Sequence, residues 1–423
     1  MTNLVTEQYE TGKLHLEGTL GHLTKDQELL LRRLWKALFE SFESATDNLD
    51  SSADPELPTR AKKAKESAPV HKSSSWFSLG KAKEEAEHYR QIVSDIAPKS
   101  SNPPPFVRET SNTVREAFWN AIACDHPDVL LLRFLRARKW KVDDALNMLL
   151  SCLKWRLDED IVALNWEGES RLNYALLQRG IGAIHQTDRI GQPVLYIPVK
   201  MNDPKAQPQD HMLDYTMYLM EVTRLLLHPP IEKVCLVFDT TDMSLANMDW
   251  TFFKTFLHYL EHYYPECLGL VLIYNASWVF NTLWKAVRPM LDPVVASKVQ
   301  FANTKEDVLK FIPAEHLPKE LGGTDPWVFK YTPPVADENK PMFDSAAREQ
   351  SHKDKTIARD EFESATRQWA ELGDEEGSVE GLVEKRDAVA KKLIEASVRH
   401  DVYVRARSQF HRAGIIDGLN VKW

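Results

Sequence analysis

The sequence predicts an α/β fold, in which an N-terminal helical bundle is followed by a mixed, mainly parallel sheet. Apolar runs of strand length occupy residues 181–186, 193–199, 233–239, 268–274 and 299–302. Helical patterns separate the middle runs, and strand–helix–strand alternation indicates parallel pairing. The turn sequence TDRIGQ joins the first two runs and predicts one antiparallel hairpin. A compact helical pattern upstream of the first run predicts the bundle.

The third and fourth strands are expected in the middle of the sheet. Their sequences, KVCLVFD and LGLVLIY, are almost uninterrupted apolar runs rich in β-branched and aromatic residues. Such runs are typical of strands that are buried on both faces. We predict helices before and after the third strand, at residues 210–227 and 244–264.

Composition narrows the class of protein. The 423 residues carry a net charge of -9, which argues against a nucleic-acid binder that relies on bulk positive charge. The four cysteines form no CxxC pair, so we expect small core residues in a reducing compartment and no metal site. No secretory signal and no run of 18 apolar residues is visible. We therefore expect a cytoplasmic protein whose membrane contact is peripheral.

The chain divides into five predicted segments. An amphipathic helix at residues 24–42 could dock on the main domain or bind a partner. A stretch rich in Ser, Pro, Lys and Glu follows, which is typical of a disordered linker. Charged helices are predicted at residues 362–371 and 381–407. The segments are an N-terminal segment (1–42), a linker (43–105), a helical bundle (106–164), the α/β domain (165–328) and a charged helical C-terminal extension (329–423).

Sequence motifs for catalysis are absent. No GxSxG elbow, GxxxxGK[ST] loop, GxGxxG fingerprint or HExxH pair occurs in the chain. His258 and His262 lie one helical turn apart, but no third ligand accompanies them, so we interpret them as ordinary histidines on a helix surface. We expect no catalytic residue, no metal and no enzymatic activity.

The most informative stretch runs from residue 263 to residue 298. YYPE precedes the fourth strand, and an amphipathic helix follows that strand. The apolar side of this helix carries Phe280, Leu283, Trp284, Val287 and Leu291. The helix covers either a face of the sheet or a ligand cavity, and the periodicity alone favours the sheet.

Several sequence motifs, taken in order, resemble the CRAL-TRIO lipid-binding family, and more narrowly its fungal phosphatidylinositol-transfer branch. They are LLRFLRARKW, YYPE, NASWVFNTLWKAVRPMLDPVVASK and IPAEHLPKELGG, within residues 106–323. The first motif packs four cations, Arg133, Arg136, Arg138 and Lys139, into seven residues. Each motif is weak alone, but the ordered set is specific.

The resemblance implies helices that enclose one lipid in an apolar cavity, closed by a gate helix at residues 277–290. It implies a head-group site made of Arg138, Glu266 and Lys298, which the alternative interpretation treats as a simple ion-pair cluster. The cavity lining carried over from the family is Phe280, Leu283, Trp284, Val287, Met290, Val234 and Leu236. The resemblance implies a bound phospholipid, which is expected to be phosphatidylinositol, and it implies no cofactor.

The implied function is exchange of phosphatidylinositol with a second lipid between intracellular membranes. Val295 stands where the family has a threonine of the inositol site, while Val234 and Leu236 stand where its phosphatidylcholine site has hydroxyl residues. These departures predict a more apolar second lipid, such as a sterol or a squalene-like molecule. Two alternatives stay open. One is a lipid-dependent sensor or scaffold that regulates a protein partner through the N-terminal helix or the extension, and the other is a haem-binding or enzymatic relative.

Overall fold

The computed structural model describes residues 4–43, 113–372 and 380–423. The predicted linker lies outside the described residues, apart from Glu43. The five segment boundaries therefore stay predictions, and the description below concerns the three ranges.

Two helices form the first described range, Leu4–Thr11 (α1) and Lys25–Glu43 (α2). Helix α2 confirms the prediction for residues 24–42. Thr24 caps it, because the Gln27 amide donates to the Thr24 hydroxyl at 3.2 Å and the Gln27 side chain accepts from the Thr24 amide at 2.9 Å. The apolar side of α2 is buried against the bundle, so this helix docks on the protein's own core.

The bundle that precedes the sheet is helical, as predicted. Its helices are Val114–Ile122 (α3), Pro127–Ala137 (α4), Val142–Asp158 (α5), Ile161–Glu167 (α6) and Tyr174–Arg179 (α7). Helix α4 begins with a proline at its first turn, where the missing amide hydrogen costs nothing. The bundle, α2 and one face of the sheet share a single apolar core.

The main sheet has five strands in chain order. They are Ala183–Thr187 (β1), Pro193–Pro198 (β2), Val234–Asp239 (β3), Leu268–Tyr274 (β4) and Val299–Ala302 (β5). Strands β1 and β2 form the antiparallel hairpin, while every other neighbouring pair is parallel. The predicted fold class, a mixed and mainly parallel sheet after a helical bundle, is confirmed.

The helices that accompany the sheet follow the strands in the expected alternation. They are Gln209–Arg224 (α8), Trp250–His258 (α9), Trp278–Val287 (α10), Pro293–Ser297 (α11) and Lys305–Leu309 (α12). The prediction of one continuous helix over residues 244–264 is wrong. A 3-10 turn, Leu245–Asn247, comes first, and the Asp249 side chain then caps a new helix by accepting from the Phe252 amide. A π-helical turn, Tyr259–Tyr263, ends it.

The two faces of the sheet are covered differently. Val194, Cys235 and Leu270 point to the face that packs against α1 and the segment after α12. Here the Tyr9 hydroxyl donates to the Asp188 carboxylate at 2.5 Å and fixes α1 to the hairpin turn. Leu236 and Val271 point to the opposite face, which joins the core of the bundle. Only this second face borders the cavity described below.

The C-terminal extension is helical and packs back on the bundle. Its helices are Ser345–Ala370 (α13), Glu380–Val404 (α14) and Gln409–Arg412 (α15), and a short hairpin follows, Ile416–Asp417 (β6) with Asn420–Val421 (β7). Phe362 and Trp369 of α13 are buried in the shared core. Helix α13 begins at Ser345, well before the predicted start at residue 362. The prediction missed its first turns because they are charged and carry little apolar periodicity.

The described ranges also bear on the cysteines and on metal and membrane sites. The four cysteines are free, with Cys124 half-buried and the others buried. No group of three His, Cys, Asp or Glu side chains in these ranges could hold a metal ion. None of the described helices has the length and apolar character needed to cross a bilayer.

Candidate functional site

A cavity of about 260 Å³ lies between the sheet and helices α8, α9 and α10. Its floor is formed by Val234 and Leu236 of β3, whose side chains alternate with those pointing to the opposite face. Strand β2 contributes Leu195 and strand β4 contributes Val271 and Ile273. The lining is overwhelmingly apolar, which suits a hydrocarbon ligand.

Helix α10 covers this cavity and has a solvent-exposed outer side. Ser277 caps it by accepting from the Phe280 amide. The four predicted lining residues of the helix, Phe280, Leu283, Trp284 and Val287, do line the cavity. Of the two interpretations left open by the periodicity, the structure therefore favours a cover over a cavity. Met290 lies on the following 3-10 turn, is 37% exposed, and is not among the described residues that line the cavity.

Helix α9 forms a second wall that the sequence did not assign to the site. Phe252, Phe253 and Phe256 line the cavity from this helix, and Leu260 lines it from the π-helical turn that follows. The available signal was its aromatic content, since a helix this apolar must face something other than water. Leu257, which also lines the cavity, is the only buried residue of α9, whereas Trp250 at its start lies outside the lining and is 38% exposed.

The polar groups of the cavity wall use their hydrogens internally. The Tyr215 hydroxyl donates to the Gly182 carbonyl at 2.9 Å. Thr216 and Thr223 donate to carbonyls one turn earlier in α8, both at 2.7 Å. The Arg224 guanidinium donates to the Ala121 carbonyl and to Asp125. A ligand deep in the cavity therefore meets few free donors.

A buried charge network fixes the YYPE turn against the bundle. Glu221 accepts two hydrogen bonds from Arg156, at 2.9 and 2.8 Å, and a third from the Tyr264 hydroxyl at 3.0 Å. Burial acts to raise the pKa of Glu221, but the charges of Arg156 and Arg224 hold it below its ordinary value. Trp155 stacks on Tyr263 with ring centroids 4.2 Å apart. These contacts position Glu266, which lies two residues after Tyr264.

Glu266 lies at the centre of a cationic cluster beside the cavity. The Lys298 ammonium is 4.0 Å from its Oε2 atom, and the Lys233 ammonium is 3.9 Å from the same atom. The backbone of Glu266 has φ of 57°, a left-handed conformation that non-glycine residues seldom adopt and that recurs at functional sites. The structure thus brings together two of the three predicted head-group residues, Glu266 and Lys298.

The electrostatics of Glu266 show which cations surround it. Burial acts to raise the pKa of this carboxyl, yet the pKa lies below its ordinary value because nearby cations outweigh burial. In order of their effect, these cations are Lys298, Lys233, Arg136 and Arg133.

Arg138, the third predicted residue, is not one of these four cations. It follows α4 as the C-cap, where its backbone amide donates to the Phe134 carbonyl. Arg136, in the last turn of the helix, instead pairs with Glu232 at 2.7 Å. Arg133 is nearly completely buried and donates to the Glu232 carbonyl at 3.5 Å. The resemblance assigned Arg138 of the arginine-rich run to the site, whereas Arg136 and Arg133 are the members of the run whose charges lower the pKa of Glu266.

Comparisons with known proteins cover most of the chain. Residues 177–323 match the CRAL/TRIO domain, and residues 82–151 match the CRAL/TRIO N-terminal domain. A CRAL-TRIO domain-containing protein of Schizosaccharomyces pombe is 36% identical over 308 residues, which are 72% of this chain and 69% of that protein. The phosphatidylinositol transfer protein CSR1 of Eremothecium gossypii is 30% identical over 435 aligned residues, 94% of this chain and 98% of that protein. The crystal structure of Sfh5 aligns at 19% identity with a TM-score of 0.40, over 61% of this chain and 87% of that chain.

Proposed function

This chain belongs to the CRAL/TRIO family, and on that premise we propose that it is a phosphatidylinositol transfer protein. It holds one lipid in the cavity under α10 and exchanges phosphatidylinositol with a second lipid between intracellular membranes. The relative named as a phosphatidylinositol transfer protein, which aligns over nearly the whole chain, supports this assignment. The protein works in the cytoplasm and associates peripherally with membranes, and no catalysis is involved.

The observation that carries the proposal is the junction between charge and cavity. Each of the three charged residues at this junction is the chain neighbour of a residue that lines the cavity. Lys233 precedes Val234, Glu266 precedes Cys267, and Lys298 precedes Val299. A lipid with its acyl chains in the apolar cavity would place its head group at this cluster. Ammonium groups suit the phosphate, and a carboxylate suits inositol hydroxyls.

Shielding the acyl chains is the physical purpose of such a cavity. Two chains carry about thirty CH₂ groups, and exposing them to water costs about 0.8 kcal/mol each, or about 24 kcal/mol. Spontaneous exchange between membranes is accordingly very slow. A protein that carries the chains in an apolar cavity removes most of that barrier. To keep the acyl chains out of water, the cover of the cavity must open only at a membrane.

Helix α10 is the proposed gate, and exposed apolar residues around it are the proposed membrane contact. Trp278, at its first turn, is 79% exposed, and Leu245 before α9 is 64% exposed. Val294, beyond the far end of α10, is also exposed. Tryptophan is favoured at the boundary between lipid and water, where its ring is apolar and its N–H stays hydrated. Exposed apolar residues suited to a bilayer therefore lie on α10 and on the segments next to α9 and α10.

The second lipid is proposed to be more apolar than phosphatidylcholine. Val234 and Leu236 offer no hydroxyl on the cavity floor, and the wall hydroxyls of Tyr215, Thr216 and Thr223 donate within the protein. A polar head group inside the cavity would lose its hydration without replacement. A sterol or a squalene-like hydrocarbon has little or nothing to lose. Near-stoichiometric phosphatidylcholine in the cavity would contradict this part of the proposal.

The test is native mass spectrometry with lipid extraction, after exposure of the protein to mixed eukaryotic lipids. We expect phosphatidylinositol on the wild type and its loss from Lys298→Ala. Lys319→Ala is the matched control, because it removes an exposed lysine outside the cluster. An unrelated lipid that is insensitive to Lys298→Ala would leave the fold in place and refute the phosphatidylinositol assignment.

The sensor or scaffold remains the alternative function. It is favoured by the long C-terminal extension, which lies outside the two matched regions of the family. Transfer of labelled phosphatidylinositol between liposomes separates the two functions, since a sensor has no need to release its ligand. Uptake without transfer would favour the sensor. An absorption spectrum of the purified protein tests the haem alternative directly.

A further inference from the structure

The charged cluster beside the cavity holds more positive than negative groups. Four cationic side chains and two carboxylates meet there, so two positive charges are in excess. The members are Arg133, Arg136, Lys233, Lys298, Glu232 and Glu266. Glu232 is engaged by Arg136, and Glu266 is left to the two lysines. Burying excess charge is costly, so such a cluster calls for an anion.

Lys233 and Lys298 lie at nearly equal distances from Glu266, but neither lysine donates a hydrogen bond to it. Their ammonium groups lie 3.9 and 4.0 Å from the same carboxylate oxygen, which is beyond hydrogen-bond distance. In the described part of the chain, no hydrogen-bond acceptor is found for either ammonium group. The side chains are 29% and 10% exposed, so both are partly reachable from solvent. Each ammonium carries three hydrogens to donate.

The surroundings of Lys233 disfavour its charged form, and a bound anion would counteract them. Burial lowers the pKa of its ammonium group, and Lys298 and Arg136 add to that effect, while Glu266 opposes them. A bound phosphate would favour the charged form and offset the repulsion between the two lysines. A choline or ethanolamine ammonium would instead add a further cation to the cluster.

We propose that Lys233 and Lys298 together bind the phosphate of one lipid, and that Lys233 makes the site prefer anionic phospholipids over zwitterionic ones. The proposal deepens the proposed function, on which it rests. It adds to the head-group site a residue that immediately precedes β3 and is far in sequence from Arg138, Glu266 and Lys298. It also explains how a cavity with apolar walls selects among phospholipids, because the selection occurs at the charged cluster beside the cavity.

The experiment compares variants for the ratio of the two phospholipids that they take up. Wild type, Lys233→Gln, Lys233→Arg, Lys298→Gln and Lys319→Gln are incubated with vesicles of equal phosphatidylinositol and phosphatidylcholine, and bound lipid is measured by native mass spectrometry. We expect Lys233→Gln to lower the ratio of phosphatidylinositol to phosphatidylcholine about tenfold, because both lipids share the phosphate and only the choline ammonium of phosphatidylcholine is relieved of repulsion from Lys233. Lys233→Arg keeps the charge and should retain most of the preference, and Lys319→Gln should match wild type.

The outcomes separate this inference from the function on which it rests. If Lys298→Gln loses phosphatidylinositol and Lys233→Gln matches wild type, the inference is overturned and the transfer function stands. If the wild type takes up no phosphatidylinositol, both fail. A second arm adds inorganic phosphate to the vesicle mixture, and phosphate retained through Lys233 in place of phosphatidylinositol would overturn the lipid assignment. Melting temperatures identify any variant that loses lipid through misfolding.

Discussion

Arg386 of α14 and Asp128 of α4 form a bidentate salt bridge, with contacts of 2.6 and 2.5 Å, in the interior of the protein. The Trp35 indole of α2 donates to the same carboxylate at 2.7 Å. Burial acts to raise the pKa of Asp128, but Arg386 holds it low, at about 2. The N-terminal helix, the bundle and the C-terminal extension therefore meet at one carboxylate, 258 residues from its arginine in sequence.

Replacing Arg386 by Ala should destabilise the whole protein. The change leaves Asp128 buried without its cation, which typically costs about 3–5 kcal/mol. The measurement is the free energy of unfolding in urea, followed by far-UV circular dichroism. Lys392→Ala is the control, because its pair with Glu361 is exposed and should contribute less than about 1 kcal/mol. Equal effects of the two substitutions would mean that the extension adds little to the core.

Acid should destabilise the protein through two buried histidines of the extension. Burial lowers the pKa of His400 in α14 and of His411 in α15 to about 3 each, helped by Lys355 and Arg407 respectively. A histidine whose pKa is lower in the folded state binds fewer protons than in the unfolded state. The contribution of each histidine to the free energy of unfolding is therefore fully present above the unfolded pKa of about 6.5. It falls as the pH drops toward 3, by up to about 1.4 kcal/mol per pH unit for each residue.

The measurement is the free energy of unfolding between pH 7 and pH 4. His400→Gln should flatten this dependence, and His22→Gln, which changes an exposed histidine, should not. Asp188 acts in the opposite sense, since burial raises its pKa to about 6 and its protonation favours the folded state. A pH dependence unaltered by His400→Gln would contradict the assignment to this residue.

The strands and the cover of the cavity were predictable because their signals are local. The run LGLVLIY became β4 without a shift at either end, since an apolar run bounded by a turn leaves little choice. The apolar and polar sides of helix α10 were also predictable from the helical periodicity of its sequence. What lay beneath its apolar side was undecided, because a sheet and a cavity select the same residues.

The rest depended on contacts between distant residues. Arg136 meets Glu232 across 96 positions, and nothing in either local sequence indicates the partner. Lys233 appeared only as the polar start of a strand. Tyr9, in a region without a visible pattern, reaches Asp188 across 179 positions. Only the three-dimensional fold showed that α4, β3 and the YYPE turn converge.

Loosening the closed cover should speed lipid release. Trp284 packs edge-to-face on Phe301 of β5, with ring centroids 5.5 Å apart, and Phe280 lies 6.1 Å from the same ring. Such pairs contribute about 0.5–1.5 kcal/mol each. Phe301→Ala should therefore raise the rate of lipid transfer several-fold while the melting temperature changes little. Transfer that slows in proportion to lost folded protein would contradict a latch at this position.

Trp278→Ala should weaken membrane contact without affecting stability. Its side chain is 79% exposed, so its removal should change the free energy of unfolding by less than about 0.5 kcal/mol. Sedimentation with anionic liposomes should show a loss of bound protein, and transfer should slow. Ile357→Ala on α13, which removes a side chain that is 60% exposed, is the control. Equal losses from both variants would indicate nonspecific apolar contact.

Restoring hydroxyls to the cavity floor should admit phosphatidylcholine. The double substitution Val234→Ser and Leu236→Thr places two donors where the family's phosphatidylcholine site has hydroxyl residues. Each neutral hydrogen bond contributes about 0.5–1.5 kcal/mol, so the phosphatidylcholine share of bound lipid should rise about tenfold. The lipid-free protein should be less stable by about 1–3 kcal/mol for each unpaired hydroxyl.

The matched control is Val237→Thr, because Val237 lies on the same strand but belongs to the core of the opposite face. It introduces a buried hydroxyl with no route to the ligand, so it should cost stability and leave the bound lipids unchanged. Extraction and mass spectrometry of the lipids from the three proteins complete the comparison. If Val237→Thr changes the lipids as much as the double substitution does, the effect comes from general loosening of the sheet. If neither changes them, polarity of the floor does not select the second lipid.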